Sequence, residues 1–507
     1  MKAIYNGCVL DPWLEVAEKL KNEHDIEPVL WIGWNKNGEE KIVKDKFPNI
    51  IFQDLADAWR GEFSEGVNIF DEAVLDGEFL KGNAFHEVMA LRMMDRMDPT
   101  RRNFNFNERQ RHYRRLLRKW LSTIDAIKPD LIVSPNIPHR IYDYALYVAA
   151  KSRGIKFLSY QITNISGFLI PMPDIYSLPP IAHEYKKNKL GYTDMSTRAR
   201  ERIDKTRQDY ENAEPDYTKK NDQTTGFYKL TSLWKGFASS PSKHLNFLFN
   251  SFKKTGTCFK KKNKEIENSN FSFVEVEILR WRGRRYKRKL KKYYDSIAQR
   301  PDLDRKYILV ALHYQPEATS TPSGSIYTDQ YLMIDMISKS IPDDWVVYVK
   351  EHKTQFHPLS EGEAGREKSF YKDVLELENT QFVPLDYNIF DLIDNSQGVV
   401  TLIGTTGFEA IVRGKPVLAF GNAWYAPVQS VFAIKNKNDL GDAIKKIKEG
   451  IRINADDVCN YIAHLEKHAG LYAYHYKGEK EALEISKKQS VDLLAKSILD
   501  NLQGEKI

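Results

Sequence analysis

The sequence predicts an α/β protein of two doubly wound domains, each a parallel sheet between helices, joined by a helical basic insert. Three observations carry this reading. Short apolar runs alternate with amphipathic ones in two separate stretches, 1–170 and 301–475. Between them, over 171–300, the alternation fails, with prolines at the start of the gap and cations at its end. At 507 residues, 42% apolar and 12% aromatic, the chain is long enough for two or three cores.

In order along the chain, KAIYNGCVL reads as a strand and its turn, WLEVAEKLKNEH as an amphipathic helix, EPVLWIGW as a second strand and NIIFQDL as a third. ERQRHYRRLLRKWLSTIDAI is strongly helical in pattern; DLIVSPN, YDYALYVAAKSRG and IKFLSYQI follow as strand, helix, strand. MPDIYSLPPIAHEYKKN reads as loop, and the residues from Glu184 to about Glu214 as polar helix. The alternation resumes with KYILVALHYQ, a helix near DQYLMIDMISKSI, and the strands WVVYVKEH and TQFVPL. A helix at YNIFDLIDNS and the strand GVVTLI lead into GTTGFEAIVRGKPVLAFG, which is turn, helix and strand. Residues 476–507 read as a terminal helix packing back on the first domain. In open sheets of this kind ligands bind beyond the carboxyl ends of the strands, so the residues there are the candidates for chemistry.

Net charge is +7, but Lys253 to Lys292 holds fifteen Lys or Arg against four Glu, an excess of eleven. The rest of the chain is therefore slightly acidic. An anionic partner is expected for 253–292: a membrane surface met by the basic, Trp- and Tyr-containing helix, or simply solvent. No nucleic-acid module accompanies the charge, so nucleic acid is not expected. No apolar run has the length of a membrane span, and the N-terminus lacks the form of a signal peptide, which leads us to expect a cytoplasmic protein. Cys8, Cys258 and Cys459 are too dispersed for a disulfide framework or a cysteine metal site.

The Gly404-Thr405-Thr406-Gly407 turn opens a helix at a strand end. Free backbone N–H groups and the helix dipole favour an anion there, and Glu409 suits a sugar hydroxyl. Packing glycines and a dipole-favouring glutamate explain the same residues without a ligand. Lys350 and His352 alternate with Glu351 along their strand, so they are expected to share a side and to neutralise a leaving phosphate. Beyond KYILVALHYQ, the polar segment with His313, Gln315, Glu317, Thr319 and Ser320 reads either as a loop lining the crevice or as a surface turn followed by a helix cap. In the first domain, Asn136, His139 and Arg140 follow a strand, and Asp76, Glu78, Asp95, Arg96 and Asp98 lie in acidic stretches; each also reads as a cap or surface charge.

LHYQPEATSTPSG, YVKEH and GTTGFEAIVRGKPVLAFG, between Ile308 and Tyr425, together resemble the bacterial capsule polysaccharide biosynthesis family. ALRMMDRMDP and PNIPHRIYDYALY look familial too. The resemblance implies a GT-B-like fold of two facing Rossmann-like domains and a metal-independent glycosyltransferase with no cofactor beyond its nucleotide-sugar co-substrate. The acceptor it implies is a capsule or other surface polysaccharide or glycolipid, met at the inner face of the cell membrane. Relatives using CMP-Kdo or another CMP-nonulosonate carry a His-Pro element and a hydroxyl pair. Thr405-Thr406 matches the pair; His352 precedes Lys353, and His357-Pro358 follows five residues on. The implied donor residues are Gln315, Lys350, Gly404, Thr405, Thr406, Gly407 and Glu409. The implied catalytic ones are Asp76, from the half-retained Leu75-Asp76-Gly77 base motif, with His352 and Glu317. Asn136, His139, Arg140 and Asp95 would meet the acceptor, and no metal ligands are implied. A nucleotide-sugar 2-epimerase shares the fold and much of the loop, and a non-catalytic capsule assembly component is a third reading.

Overall fold

The computed structural model describes residues 1–68, 73–96, 98, 104–165, 168–179, 181, 185–210, 273–357, 360–468 and 486–503. It contains two six-stranded sheets. The first is built from β1 (Lys2–Asn6), β2 (Glu27–Gly33), β3 (Ile51–Asp54), β4 (Leu131–Ser134), β5 (Lys156–Ile162) and β6 (Leu169–Met172), in the order β3-β2-β1-β4-β5-β6. The second holds β7 (Tyr307–Ala311), β8 (Val346–Lys350), β9 (Thr380–Val383), β10 (Gly398–Thr401), β11 (Val417–Ala419) and β12 (Val431–Ala433), in the order β12-β11-β10-β7-β8-β9. Counted from its own first strand, each sheet has the doubly wound order 3-2-1-4-5-6.

All pairings are parallel except β5 with β6. The sequence reading ends the first domain at 170 and does not foresee β6. Its Pro171 lacks the N–H that a central strand would need, but β6 is an edge strand, where a proline is tolerated.

Strand alternation places the cores. In the second sheet Ile308, Val310, Val347, Val349 and Val400 face one helical layer, while Tyr307, Leu309, Tyr348 and Val399 face the other. That second layer includes Ile181, Tyr185, Ala199 and Ile203, from the stretch read as linker; the helix Thr197–Gln208 thus packs as part of the second sheet's core. In the first sheet, Ile4, Leu30 and Ile132 meet the helices Phe106–Ile127 and Ile141–Ser152. Helix Phe106–Ile127 starts at an Asn105–Glu108 capping box and buries Leu116, Leu117, Trp120, Leu121 and Ile124 at helical spacing. The opposite face carries Ala3, Tyr5 and Trp31 against helix Leu10–His24 and the terminal helix Lys487–Gln503.

Helices Lys368–Leu375 and Ala455–His468 were not foreseen; the second buries Val458, Tyr461, Ile462 and Leu465. Among the described residues no helix is long and apolar enough to cross a membrane. Cys8 and Cys459 are free and buried, and Cys258 lies outside the described residues.

The two units touch through loops at their strand ends. Arg96 Nη1 donates to His139 O at 2.9 Å and its Nη2 to Thr321 O at 3.4 Å, bridging the loops after β4 and β7. Gln161 Nε2 donates to Asn422 O at 3.2 Å, and Asn422 Nδ2 to Ile175 O at 3.2 Å.

Candidate active site at the strand ends of the second sheet

In the second sheet the strand order reverses between β7 and β10, so the connections beyond their carboxyl ends part and leave a crevice. His313 follows β7 and Thr401 ends β10. The His313 Nε2 accepts from Thr401 Oγ1 at 2.9 Å and from Ile403 N at 3.3 Å, while Gly404 N donates to Thr401 Oγ1 at 3.1 Å. This pattern assigns the ring proton to Nδ1. Burial, with the Arg366 guanidinium nearby, pulls the His313 pKa down to about 3, so the imidazole is neutral.

Gly404 caps the helix Thr405–Val412. A Cβ on Gly404 would lie 2.9 Å from Thr401 Oγ1 and 3.0 Å from His313 Nε2. One on Gly407 would meet Tyr425 Oη at 2.1 Å, and that hydroxyl donates to Gly404 O at 2.6 Å. Both glycines therefore have a packing reason. The threonines differ. Thr405 is exposed and Thr406 half-buried, and among the described residues neither hydroxyl has a hydrogen-bond partner. At this helix start, two free hydroxyls lie beside backbone N–H groups that no side chain caps.

The loop after β7 is held by residues the sequence reading did not use. Gln330 Oε1 accepts from His313 N and its Nε2 donates to His313 O, at 2.8 and 3.2 Å. Gln355 Oε1 accepts from Gln315 N and its Nε2 donates to Gln315 O, both at 3.0 Å. Arg366 donates to His313 O, to Gln315 Oε1 and, at 2.8 Å, to the Glu351 carboxylate, which also accepts from Tyr371 Oη at 2.8 Å. Arg366 and Glu351 are 2% and 1% exposed, so this is a buried ion pair supporting the loop.

Several expected donor contacts take other partners. Lys350 Nζ donates to Pro384 O at 3.0 Å and Leu385 O at 2.7 Å; it ties β8 to the end of β9, and burial lowers its pKa to about 8. Gln315 Nε2 donates to Thr328 O at 2.6 Å, and with Oε1 on Arg366 its amide is engaged as a clasp. Glu409 is buried beneath its helix, 3.9 Å from Arg202. Burial raises its pKa to about 7 against the opposing pull of Arg202 and Arg413. His352 is exposed: its Nδ1 accepts from Thr354 N at 3.2 Å and its ring lies 6.4 Å from that of Tyr314. The Nε2 of the neutral ring then carries its proton. Glu317 is also exposed, with Oε2 accepting from Thr319 Oγ1 at 2.7 Å.

On the first sheet's side, Asn6 Nδ2 donates to Ser134 Oγ at 3.3 Å, and Ser134 Oγ to Asn136 O at 2.9 Å, at that sheet's own reversal point. His139 Nδ1 pairs with Ile137 O at 2.8 Å, and burial, then Arg96, lower its pKa to about 4. The Arg140 guanidinium lies 5.6 Å from the Trp34 ring and 4.9 Å from that of Trp59, while Asp143 accepts from His139 N and Arg140 N. Asp95 is paired with Arg109 at 2.6 Å, and Asp98 with the same Arg109 at 3.2 Å. Asp95 and Arg92 nevertheless line, with Gln315, Thr321, Arg366 and Phe370, a cavity of about 300 Å³ between the two units. Asp76 caps the helix Gly77–Gly82, accepting from Phe79 N at 2.8 Å. His357 is described, but Pro358 of the His-Pro pair lies outside the described residues.

Residues 281–428 match the family model described as capsule polysaccharide biosynthesis protein. The segment runs from the basic helix to the end of the second sheet's crevice and holds His313, Arg366, Thr401 and both threonines. No curated protein matches the chain. Among solved structures it is similar to the Thermosulfurimonas dismutans protein titled KpsC, beta Kdo 2,7 transferase. Identity is 16%, over 45% of this chain and 66% of that one, with a TM-score of 0.25, so the chain spans just under two thirds of that relative. It is similar to a UDP-GlcNAc 2-epimerase of Methanocaldococcus jannaschii at 12% identity, covering 92% and 98%, TM-score 0.25. A Rickettsia africae glycosyltransferase shares 12% identity over 99% and 98%, TM-score 0.23.

Of the residues the sequence reading missed, Gln330, Gln355 and Arg366 sit in stretches without a motif; only their distant partners reveal them. Thr401 ends an apolar strand, and a hydroxyl there was the one available signal.

Proposed function

We propose that this protein is a glycosyltransferase that moves a sugar from a nucleotide-sugar donor to a capsule or other surface polysaccharide acceptor. The observation that carries this reading is the uncapped helix start with the two free hydroxyls of Thr405 and Thr406, set beside His313 where the strand order reverses. In this reading the N–H groups and hydroxyls of Thr405, Thr406 and Gly407 hold the donor phosphate. Neutral His313 orients the Gly404 turn and adds no charge of its own. The acceptor hydroxyl attacks the anomeric carbon, the bond from that carbon to the phosphate oxygen breaks, and the nucleotide leaves with the electron pair. His352 stabilises that leaving group, and Glu317 on the β7 loop takes the hydroxyl proton. The acceptor enters between Asp95 and the β7 loop, along the wall carrying Asn136, His139 and Arg140. The donor class includes CMP-Kdo and related CMP-sugars, and the reaction as proposed needs no metal.

A thermal-shift panel of CMP-, UDP- and GDP-sugars identifies the donor, because a ligand that binds only the folded state raises its melting temperature. In the variant Thr405→Ala/Thr406→Ala, affinity for that donor is expected to fall about tenfold or more, the loss of one charged hydrogen bond or two weaker ones. Unchanged affinity and transfer rate would remove the threonines from the site. Conversion of the nucleotide sugar without an acceptor would make the protein an epimerase, and loss of transfer in EDTA would overturn the metal-free step.

A further inference from the structure

The helix Phe273–Ile297 is anchored along one face. Lys287, Leu290 and Tyr294 are buried, with Lys287 Nζ donating to Ser360 Oγ at 3.3 Å and paired with Glu363 at 3.2 Å. Tyr294 Oη donates to Val383 O at 2.6 Å and accepts from Glu351 N at 3.1 Å. Gly283 lets the helix approach closely, since a Cβ there would meet Glu363 Oε1 at 2.5 Å. The helix therefore rides on the loops that follow β8, beside the crevice.

Among the described residues the opposite face carries no such partners. At a hundred degrees per residue, Ile278, Arg282, Arg285, Lys289 and Lys292 fall within a narrow arc turned away from Leu290 and Tyr294, with Trp281 at its margin. All are exposed, Trp281 by 54% and Ile278 by 43%. Arg285 lies 5.4 Å from the Trp281 ring. Among the described residues Arg282, Lys289 and Lys292 have no acidic partner. Uncompensated cations on one stripe, with a large aromatic and a branched aliphatic side chain exposed at one end of it, fit one class of partner. An acidic glycan or nucleic acid would use the cations but gain little from Ile278.

We propose that this face docks on an anionic lipid bilayer, with the cations at the headgroups and Trp281 and Ile278 entering the interface, so that the crevice opens next to a membrane-borne acceptor. Docking itself does not depend on which sugar is transferred. The test is flotation of the full chain with vesicles of phosphatidylcholine alone or mixed with phosphatidylglycerol, at low and high salt. Binding is expected only to the anionic vesicles and to weaken with salt. The variant Arg282→Glu/Arg285→Glu/Lys289→Glu/Lys292→Glu should lose more than about 100-fold in partition, at roughly fivefold per removed cation. Ile278→Ser/Trp281→Ser should lose about tenfold through the missing apolar insertion. All six residues are exposed, so melting temperature and donor-induced shift should stay as in the parent. That separates failure here from failure of the donor site. No flotation of the parent on anionic vesicles would overturn the proposal. Equal binding by the serine variant, or retention on heparin without flotation, would assign the face to a soluble polyanion instead.

Discussion

At His313 a buried imidazole accepts two hydrogen bonds on one nitrogen, and that fixes what can surround it. A charged ring would carry a proton on both nitrogens and would lose both of those bonds, which agrees with the depressed pKa. Glu409 is the opposite case, a carboxyl whose pKa burial raises from 4.5 to about 7. Between those values the folded protein holds a proton that the unfolded chain has released. Stability therefore falls as pH rises from 4.5 through 7, and the full cost of the buried charge is present above that. Glu409→Gln removes the titration. Its melting temperature should exceed that of the parent at pH 8 and converge with it near pH 5; a difference that does not change with pH would contradict the buried, protonated carboxyl.

Among elements, the loop from His313 to Thr328 owes its shape to groups from three others: Gln330 at the head of helix Gln330–Ser338, Gln355 in the turn after β8, and Arg366. Arg366→Met leaves Glu351 buried without its cation. We expect a loss of about 3–5 kcal/mol in urea unfolding, with part of it restored by adding Glu351→Leu. A change below about 0.5 kcal/mol would mean the pair does not support the loop. Most strands and their neighbouring helices were legible in advance, because runs such as YILVA and VVYVK are short, apolar and set between amphipathic stretches. The loop clasp was not legible, since nothing local ties Gln355 to Gln315, forty residues away.

At the scale of the whole molecule, chain ends and linkers are drawn into distant cores. Helix Lys487–Gln503 places Leu494, Ala495 and Ile498 among Trp13, Tyr160 and Leu20, at the opposite end of the sequence. Ile498→Ala should cost about 2–5 kcal/mol, as for other fully buried aliphatics, seen as a lower midpoint in denaturant. A cost near zero would mean the terminal helix is not part of the first unit's core. Helix Thr197–Gln208 does the same for the second unit, and Arg413 Nη1 donates to Thr206 O at 2.7 Å.

The sequence alone determined two α/β units, the position of the crevice-forming turns and the basic segment, because these depend on local periodicity, glycine and charge. Tertiary structure alone decided which turn residues are free. Lys350, Gln315 and Glu409 have the right chemistry at the right strand ends, yet carbonyls just beyond β9, Arg366 and the half-buried Arg202 engage them. Thr405 and Thr406 remain open for the reason that made them hard to weigh in sequence: a side chain's availability depends on partners contributed by segments far away along the chain.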